Sequence, residues 1–176
     1  MNTQGKTGQL TEKWVIEKIT NLGYHAEKPI PDKGVDLIVT SNLNHNKILK
    51  IQVKGRGQNQ TNQNYRWFQI RTTKNQREET VQSGLPIYEA WRKKVDLADI
   101  FILVSERLNE FWIFTKAEIY QIVKMNIDCC YGKWKDYKTG TKVELNLEKE
   151  FNGKRIADIF KSNLNNWQLI NDFFKE

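Results

Sequence analysis

Apolar residues recur at helical spacing over 9–22, where Val15, Ile19 and Leu22 share one face and Trp14 and Ile16 border it. Gly23 closes that helix. Glu12 lies at the edge of the apolar stripe, whereas Glu17 falls on the wet face. A carboxylate turned toward the body of a protein needs a metal, a cation or hydrogen-bond donors. The pattern then shifts to strands. Residues 24–28 read as a short strand, and Pro29 to Gly34 as a turn leading into a strand over 34–39 that carries Asp36. A second strand spans 47–54. Leu49, Ile51 and Val53 point into a core, so Gln52 and Lys54 share the opposite, solvent-facing side. The polar stretch between the two strands, 41–46, reads as a loop too long for a tight hairpin.

After Gly55-Arg56-Gly57 comes a Gln/Asn-rich stretch, 58–64, with no apolar anchor. Residues 65–72 return as a strand bearing Arg66 and Arg71, and a polar loop over 73–84 carries Lys74 and Arg77. A short helix is expected around Tyr88, Ala90 and Trp91. Residues 100–104 are continuously apolar, as in a strand covered on both faces, and 111–114 pair with them. Thr115 and Glu118 have capping-box spacing and start a helix to about Met125. Residues 142–147 read as a strand, 156–160 and 167–174 as helices. With no repeat, heptad or Pro-rich linker, the chain is read as one α/β domain.

A chain of 176 residues, 39% hydrophobic and 28% charged, has the size and composition of one domain with a substantial core. Lys and Arg exceed Asp and Glu by 28 to 21, and a net charge of +7 favours a polyanionic partner, nucleic acid above all. The sequence contains no apolar run long enough to span a membrane and no signal-type segment near Met1. The two cysteines, Cys129 and Cys130, are adjacent and read as reduced thiols of a cytoplasmic protein. His25 and His45 have no partner at zinc-ligand spacing.

The candidate chemistry gathers Glu12, Asp36, Gln52 and Lys54. Phosphodiester hydrolysis needs a cation that neutralises transition-state charge and lowers the pKa of the attacking water. Mg²⁺ takes oxygen ligands and keeps several waters, so one or two carboxylates suffice. Asp36 is the strongest ligand candidate, Gln52 offers a neutral carbonyl oxygen, and Glu12 completes the set directly or through water. Lys54 is placed to orient or deprotonate the water, or to stabilise the phosphate.

Glu12, then Gly34-Val35-Asp36, then Gln52-Val53-Lys54-Gly55 resembles the PD-(D/E)XK nuclease superfamily, nearest the branch with archaeal Holliday-junction resolvases and intron-encoded homing endonucleases. The resemblance implies a restriction-endonuclease-like αβββαβ core with a mixed central sheet flanked by helices, over residues 1–126. Residues 127–176 would be a C-terminal extension packed on the same domain. It further implies an Mg²⁺-dependent endonuclease, with Mn²⁺ as substitute, acting on double-stranded or branched DNA. Asp36, Gln52 and Glu12 would then be metal ligands and Lys54 the fourth catalytic residue.

Gln52 departs from the Asp or Glu of the family pattern, which lowers the negative charge at the metal. A literal Pro31-Asp32 pair also exists, but Asp36 lies inside the apolar strand and is preferred. Arg56, Arg71, Lys74 and Arg77, with Arg66, form the candidate DNA-contacting set, and the 58–64 loop offers hydrogen-bonding side chains. Cutting both strands of a duplex calls for two sites and hence a homodimer. The alternatives are a nucleic-acid-binding protein that keeps the fold without the chemistry, and a partner-binding protein using Trp134, Trp167 and Phe173.

Overall fold

The computed structural model describes residues 3–30, 34–42, 44–56, 65–130 and 138–175. Residues 58–64, Pro31-Asp32 and Trp134 lie outside them. Helix α1 (Thr3–Asn21) begins upstream of the expected start, because apolar spacing marks only where a helix packs. Val15 and Ile19 are fully buried, whereas Leu22 lies past the helix end and is 39% exposed, contrary to its expected place on the buried face. Gly23 ends the helix with φ +90° and donates its N–H to Thr20 O at 2.9 Å.

Strands β1 (Tyr24–Glu27), β2 (Leu37–Ser41) and β3 (Asn44–Arg56) form an antiparallel run. The expected 41–46 loop is mostly strand: the ladder reaches the Ser41–Asn44 pair through a register shift at Thr40/Ser41, which lets polar residues stay paired. The chain then leaves the sheet through β4 (Trp67–Arg71), α2 (Lys74–Gln82), a 3₁₀ turn (Ile87–Ala90) and α3 (Trp91–Val95). It returns as β5 (Ile100–Ser105), parallel to β3, and β6 (Glu110–Thr115), antiparallel to β5. The central sheet runs β1-β2-β3-β5-β6, the mixed sheet of the expected αβββαβ core.

One expectation for this crossover is corrected, and one pairing is new. Residues 74–82 are helix rather than loop, started by a reciprocal capping box between Thr73 and Gln76. The strand at 67–71 does not join the central sheet. It pairs antiparallel with β7 (Lys142–Asn146), from Trp67 opposite Asn146 to Arg71 opposite Lys142. Between them in sequence lies α4 (Lys116–Cys130), started by the Thr115–Glu118 capping box, in which Glu118 accepts from Thr115 N at 2.8 Å. A ribbon of β8 (Glu150–Phe151) and β9 (Lys154–Arg155), then α5 (Ile156–Ile159) and α6 (Gln168–Lys175), complete the described chain.

The central sheet is covered on both faces. Leu37, Val39, Leu49, Ile51 and Val53 pack with Val15 and Ile19 of α1 and Ile170 of α6. Phe101, Leu103, Trp112 and Phe114 pack with Trp91 of α3, Ile119 and Ile122 of α4, and Leu145 of β7. Each such side chain contributes about 1.5–3 kcal/mol by leaving water. Trp167 packs on Phe111 at 5.4 Å and Phe174 stacks on Tyr24 at 4.8 Å, so these C-terminal aromatics cover the α1 side of the sheet.

Candidate active site

The site grows from the point where the β2–β3 ladder stops. Leu37 pairs with Ile51, and just upstream Asp36 donates its N–H to Ile51 O at 3.0 Å. The Asp36 carboxylate then takes over from the ladder: its Oδ2 accepts the Val53 N–H at 2.7 Å. The same oxygen accepts from the Gln52 amide nitrogen and lies 3.4 Å from Lys54 Nζ. A charge-assisted bond to backbone fixes the carboxylate where the strand edge would otherwise be open.

Gln52 is 2% exposed, so it does not face solvent as its place in the alternation predicts. The reason lies in the second core: β3 is flanked by β2 and β5, and the face opposite Ile51 and Val53 is covered as well. Gln52 Oε1 is buried and has no hydrogen-bond partner among the described residues. A buried carbonyl oxygen left unpaired costs free energy unless a cation or donor meets it.

Lys54 has a largely covered side chain, and its Nζ also donates to Val53 O at 3.0 Å. Burial pushes its pKa below the ordinary lysine range. Asp36 opposes that shift, the charge of Lys94 adds to it, and Glu12 opposes it more weakly. Glu12 is therefore within electrostatic reach of Lys54, and its side chain is 19% exposed and ion-paired with Lys28. Gly55 explains how α1 comes so close: a Cβ there would stand 2.5 Å from Thr11 Cγ2. Thr11 itself is buried and bonds to Gly8 O at 3.0 Å.

Residues 1–128 match the family model described as PD-(D/E)XK endonuclease. The chain belongs to that family. In structure it is similar to a bacterial homing endonuclease, I-Ssp6803I, with a TM-score of 0.54 at 15% identity, covering 98% of this chain and 94% of that one. A comparison with curated proteins finds no match.

Asp36 and Gln52, which meet in this PD-(D/E)XK chain, carry oxygen donors of the kind a hard divalent cation takes, whereas the Glu12 carboxylate is paired with Lys28. Among the described residues no three His, Cys, Asp or Glu side chains are grouped so as to hold a metal.

The candidate DNA contacts of this endonuclease-family chain divide. Arg56 sits on β3 two residues past Lys54, with its guanidinium 5.4 Å from the Trp67 ring centroid. Its Nε is buried without a partner among the described residues, and burial lowers its pKa. Arg71 is exposed at the end of β4. Lys74 pairs with Glu78 at 3.6 Å, and Arg77 is tied to Thr72 O at 3.0 Å. Both line a cleft of about 410 Å³ floored by Val81 and Ile87, which none of the four candidate catalytic residues lines.

Arg66 is removed from the DNA-contacting set. It holds Glu110 with two bonds at 2.6 and 2.7 Å and Glu148 at 2.8 Å, a clamp between β6 and the C-terminal segment. One residue near the site has no signature in the sequence. Lys94 of α3 is close enough to act on Lys54, and only the fold brings the two together.

Proposed function

We propose that this chain is an Mg²⁺-dependent endonuclease, with Mn²⁺ as substitute, that hydrolyses phosphodiester bonds of double-stranded or branched DNA. The observation that carries the reading is the buried carbonyl oxygen of Gln52, unpartnered among the described residues, beside the Asp36 carboxylate. In this reading Asp36, Gln52 Oε1 and Glu12 hold the cation, Glu12 exchanging its Lys28 partner for it. The bound Mg²⁺ supplies a lowered pKa for the attacking water and neutralises charge on the phosphorane-like transition state. Lys54 orients the water and donates to the phosphate oxygens. Its lowered proton affinity suits it to proton transfer at Nζ. Asp36 keeps Lys54 and Gln52 in place through its shared oxygen. Arg56, Arg71, Lys74 and Arg77 supply backbone contacts along the duplex.

A homodimer that cuts one strand per copy, working in the cytoplasm, completes the reading. A monomeric mass by light scattering at micromolar concentration would count against the dimer. The test of the activity is incubation with linear and branched duplexes plus Mg²⁺ or Mn²⁺. Equal cleavage by wild type and Asp36→Ala would sink it.

One observation favours a second reading, a DNA-binding protein that retains the fold without the chemistry. Gln52 is neutral, and its amide nitrogen is bonded to Asp36. Salt-dependent DNA binding without cleavage under any metal would decide for that reading.

A further inference from the structure

β3 and β5 run parallel, so their carboxyl ends meet at one edge of the sheet, with Lys54 beside Leu103 and Arg56 beside Ser105. Lys54 and Arg56 share one side of β3, about 6–7 Å apart along the strand. The pairing continues one step further, where Glu106 donates its N–H to Arg56 O at 3.1 Å. Arg107 follows, in the turn between β5 and β6. The sheet therefore brings Arg107 to the same edge as Arg56 and Lys54.

Both arginines lie over aromatic rings. The Arg107 guanidinium is 4.5 Å from the ring centroid of Tyr65, and that of Arg56 is 5.4 Å from the ring centroid of Trp67. Tyr65 and Trp67 stand two residues apart where the chain enters β4. A ring beneath a guanidinium restricts it and leaves its N–H edges open to an acceptor. Neither arginine forms an ion pair among the described residues. Of the acids at this edge, Glu110 is held by two bonds from Arg66, and Glu106 is buried. Arg107 is exposed, and the buried Nε of Arg56 and Oγ of Ser105 lack partners among the described residues.

Unpaired guanidiniums held at an exposed edge attract an anion, and two of them in line with Lys54 suit an anion that repeats along a chain. The DNA backbone presents its phosphates in that way. We propose that Arg107, laid on Tyr65, is a phosphate contact that carries the DNA backbone onward from Lys54 and Arg56. The assignment rests on the reading that DNA is the substrate. The competing role is a clasp that fastens the β5–β6 turn to the start of β4, with no part in binding.

The test is fluorescence anisotropy with a short labelled DNA duplex in Ca²⁺ across a salt series, on the full chain. Wild type is compared with Arg107→Met, Arg107→Lys, Tyr65→Leu and, as a control on α6, Lys175→Met. A lost phosphate contact lowers the magnitude of the log–log salt slope by about 0.9. A lost charge-assisted hydrogen bond weakens affinity by about tenfold. Both changes are expected for Arg107→Met. Arg107→Lys keeps the charge without the fork and should hold the wild-type slope at weaker affinity. Tyr65→Leu removes the ring and should weaken binding by about two- to fivefold at the wild-type slope. Lys175→Met should match wild type. The slope belongs to the binding-competent fraction, so partial misfolding of Arg107→Met does not imitate its loss.

An Arg107→Met protein with the wild-type slope, whatever its melting temperature, overturns the assignment and leaves the clasp. Tyr65→Leu at wild-type affinity overturns the role given to the ring. Wild type that binds no duplex at low salt overturns both this assignment and the DNA reading. Wild type that binds but never cleaves, with the slope lowered in Arg107→Met, supports the contact and fails only the hydrolytic reading.

Discussion

Gly55 of β3 lies against Thr11 of α1 so closely that a Cβ would stand 2.5 Å from Thr11 Cγ2 and 2.6 Å from Oγ1. Thr11 is 1% exposed, and its short side chain on a helix has no free end to swing aside. The contact sets how closely α1, which carries the neighbouring Glu12, packs on β3. Gly55→Ala is therefore expected to push α1 outward and cost about 1–3 kcal/mol, as overpacking does. Thr11→Ala in the same chain should recover part of that loss, so the pair is non-additive in a double-mutant cycle read by urea unfolding. Additive effects would show that α1 and β3 do not share this constraint.

Asp36 is the hub of the site, because Val53 N, the Gln52 amide and Lys54 Nζ all converge on its Oδ2. Asp36→Asn keeps the shape and removes the charge. Cleavage in single-turnover assays with Mn²⁺ is expected to fall by at least about 10²-fold, the scale for losing one preorganised electrostatic group. Near wild-type turnover in Asp36→Asn would move the cation, and the chemistry, elsewhere.

The hairpin that carries Asp36, Gln52 and Lys54 was readable because Leu49, Ile51 and Val53 alternate cleanly. Continuous apolar character likewise marks residues 100–104 as a covered strand, and all six residues of β5 are buried. The reading went wrong where distant elements decide. Gln52 looks solvent-facing in an isolated strand, and only α3, α4 and β7 turn its face into a second core. The partner of β4 lies beyond α4, and no local signal announces a pairing that remote. Helix α2 buries only Thr80 and so shows no apolar stripe. Its Thr73–Gln76 capping box has the spacing that correctly marked the start of α4 at Thr115–Glu118. Glu12 could be placed from its helix because Val15 and Ile19 fix the face. Lys94 could not, since nothing in α3 points at β3.

Gln52→Glu restores the acidic residue of the family pattern at a buried position. Without metal, a carboxylate beside Asp36 suffers both burial and like-charge repulsion, so the variant is expected to melt below wild type in EDTA. With Mg²⁺ or Mn²⁺ the added charge should raise cation affinity, and bound metal stabilises the folded state by mass action. The rise in melting temperature on adding metal should exceed that of wild type, and calorimetric titration should show tighter Mn²⁺ binding. Identical metal responses in the two proteins would count against Gln52 as a ligand position.

The Arg66 clamp predicts a pH dependence of stability unrelated to catalysis. Burial of Glu110 favours its neutral form. Hydrogen bonds from Arg66 and Trp112, with the guanidinium charge, outweigh burial and hold the carboxyl below the usual glutamate range. Arg66 is held above its ordinary value, chiefly by its hydrogen bonds to Glu110, and stays charged throughout. A folded-state pKa below the unfolded one means that the unfolded chain binds the proton first as pH falls. The stabilisation is thus complete above the unfolded glutamate value of about 4.3 and is lost as pH drops through the lowered folded value. Guanidinium unfolding between neutral and acid pH should show a decline in that window. In Glu110→Gln the acid decline should be shallower, and stability at neutral pH lower by about 1–2 kcal/mol, because Arg66 loses the charge and one of the two accepting oxygens at position 110. Equal acid slopes in the two proteins would mean that Glu110 is not the group whose protonation loosens the joint between β6 and the C-terminal segment.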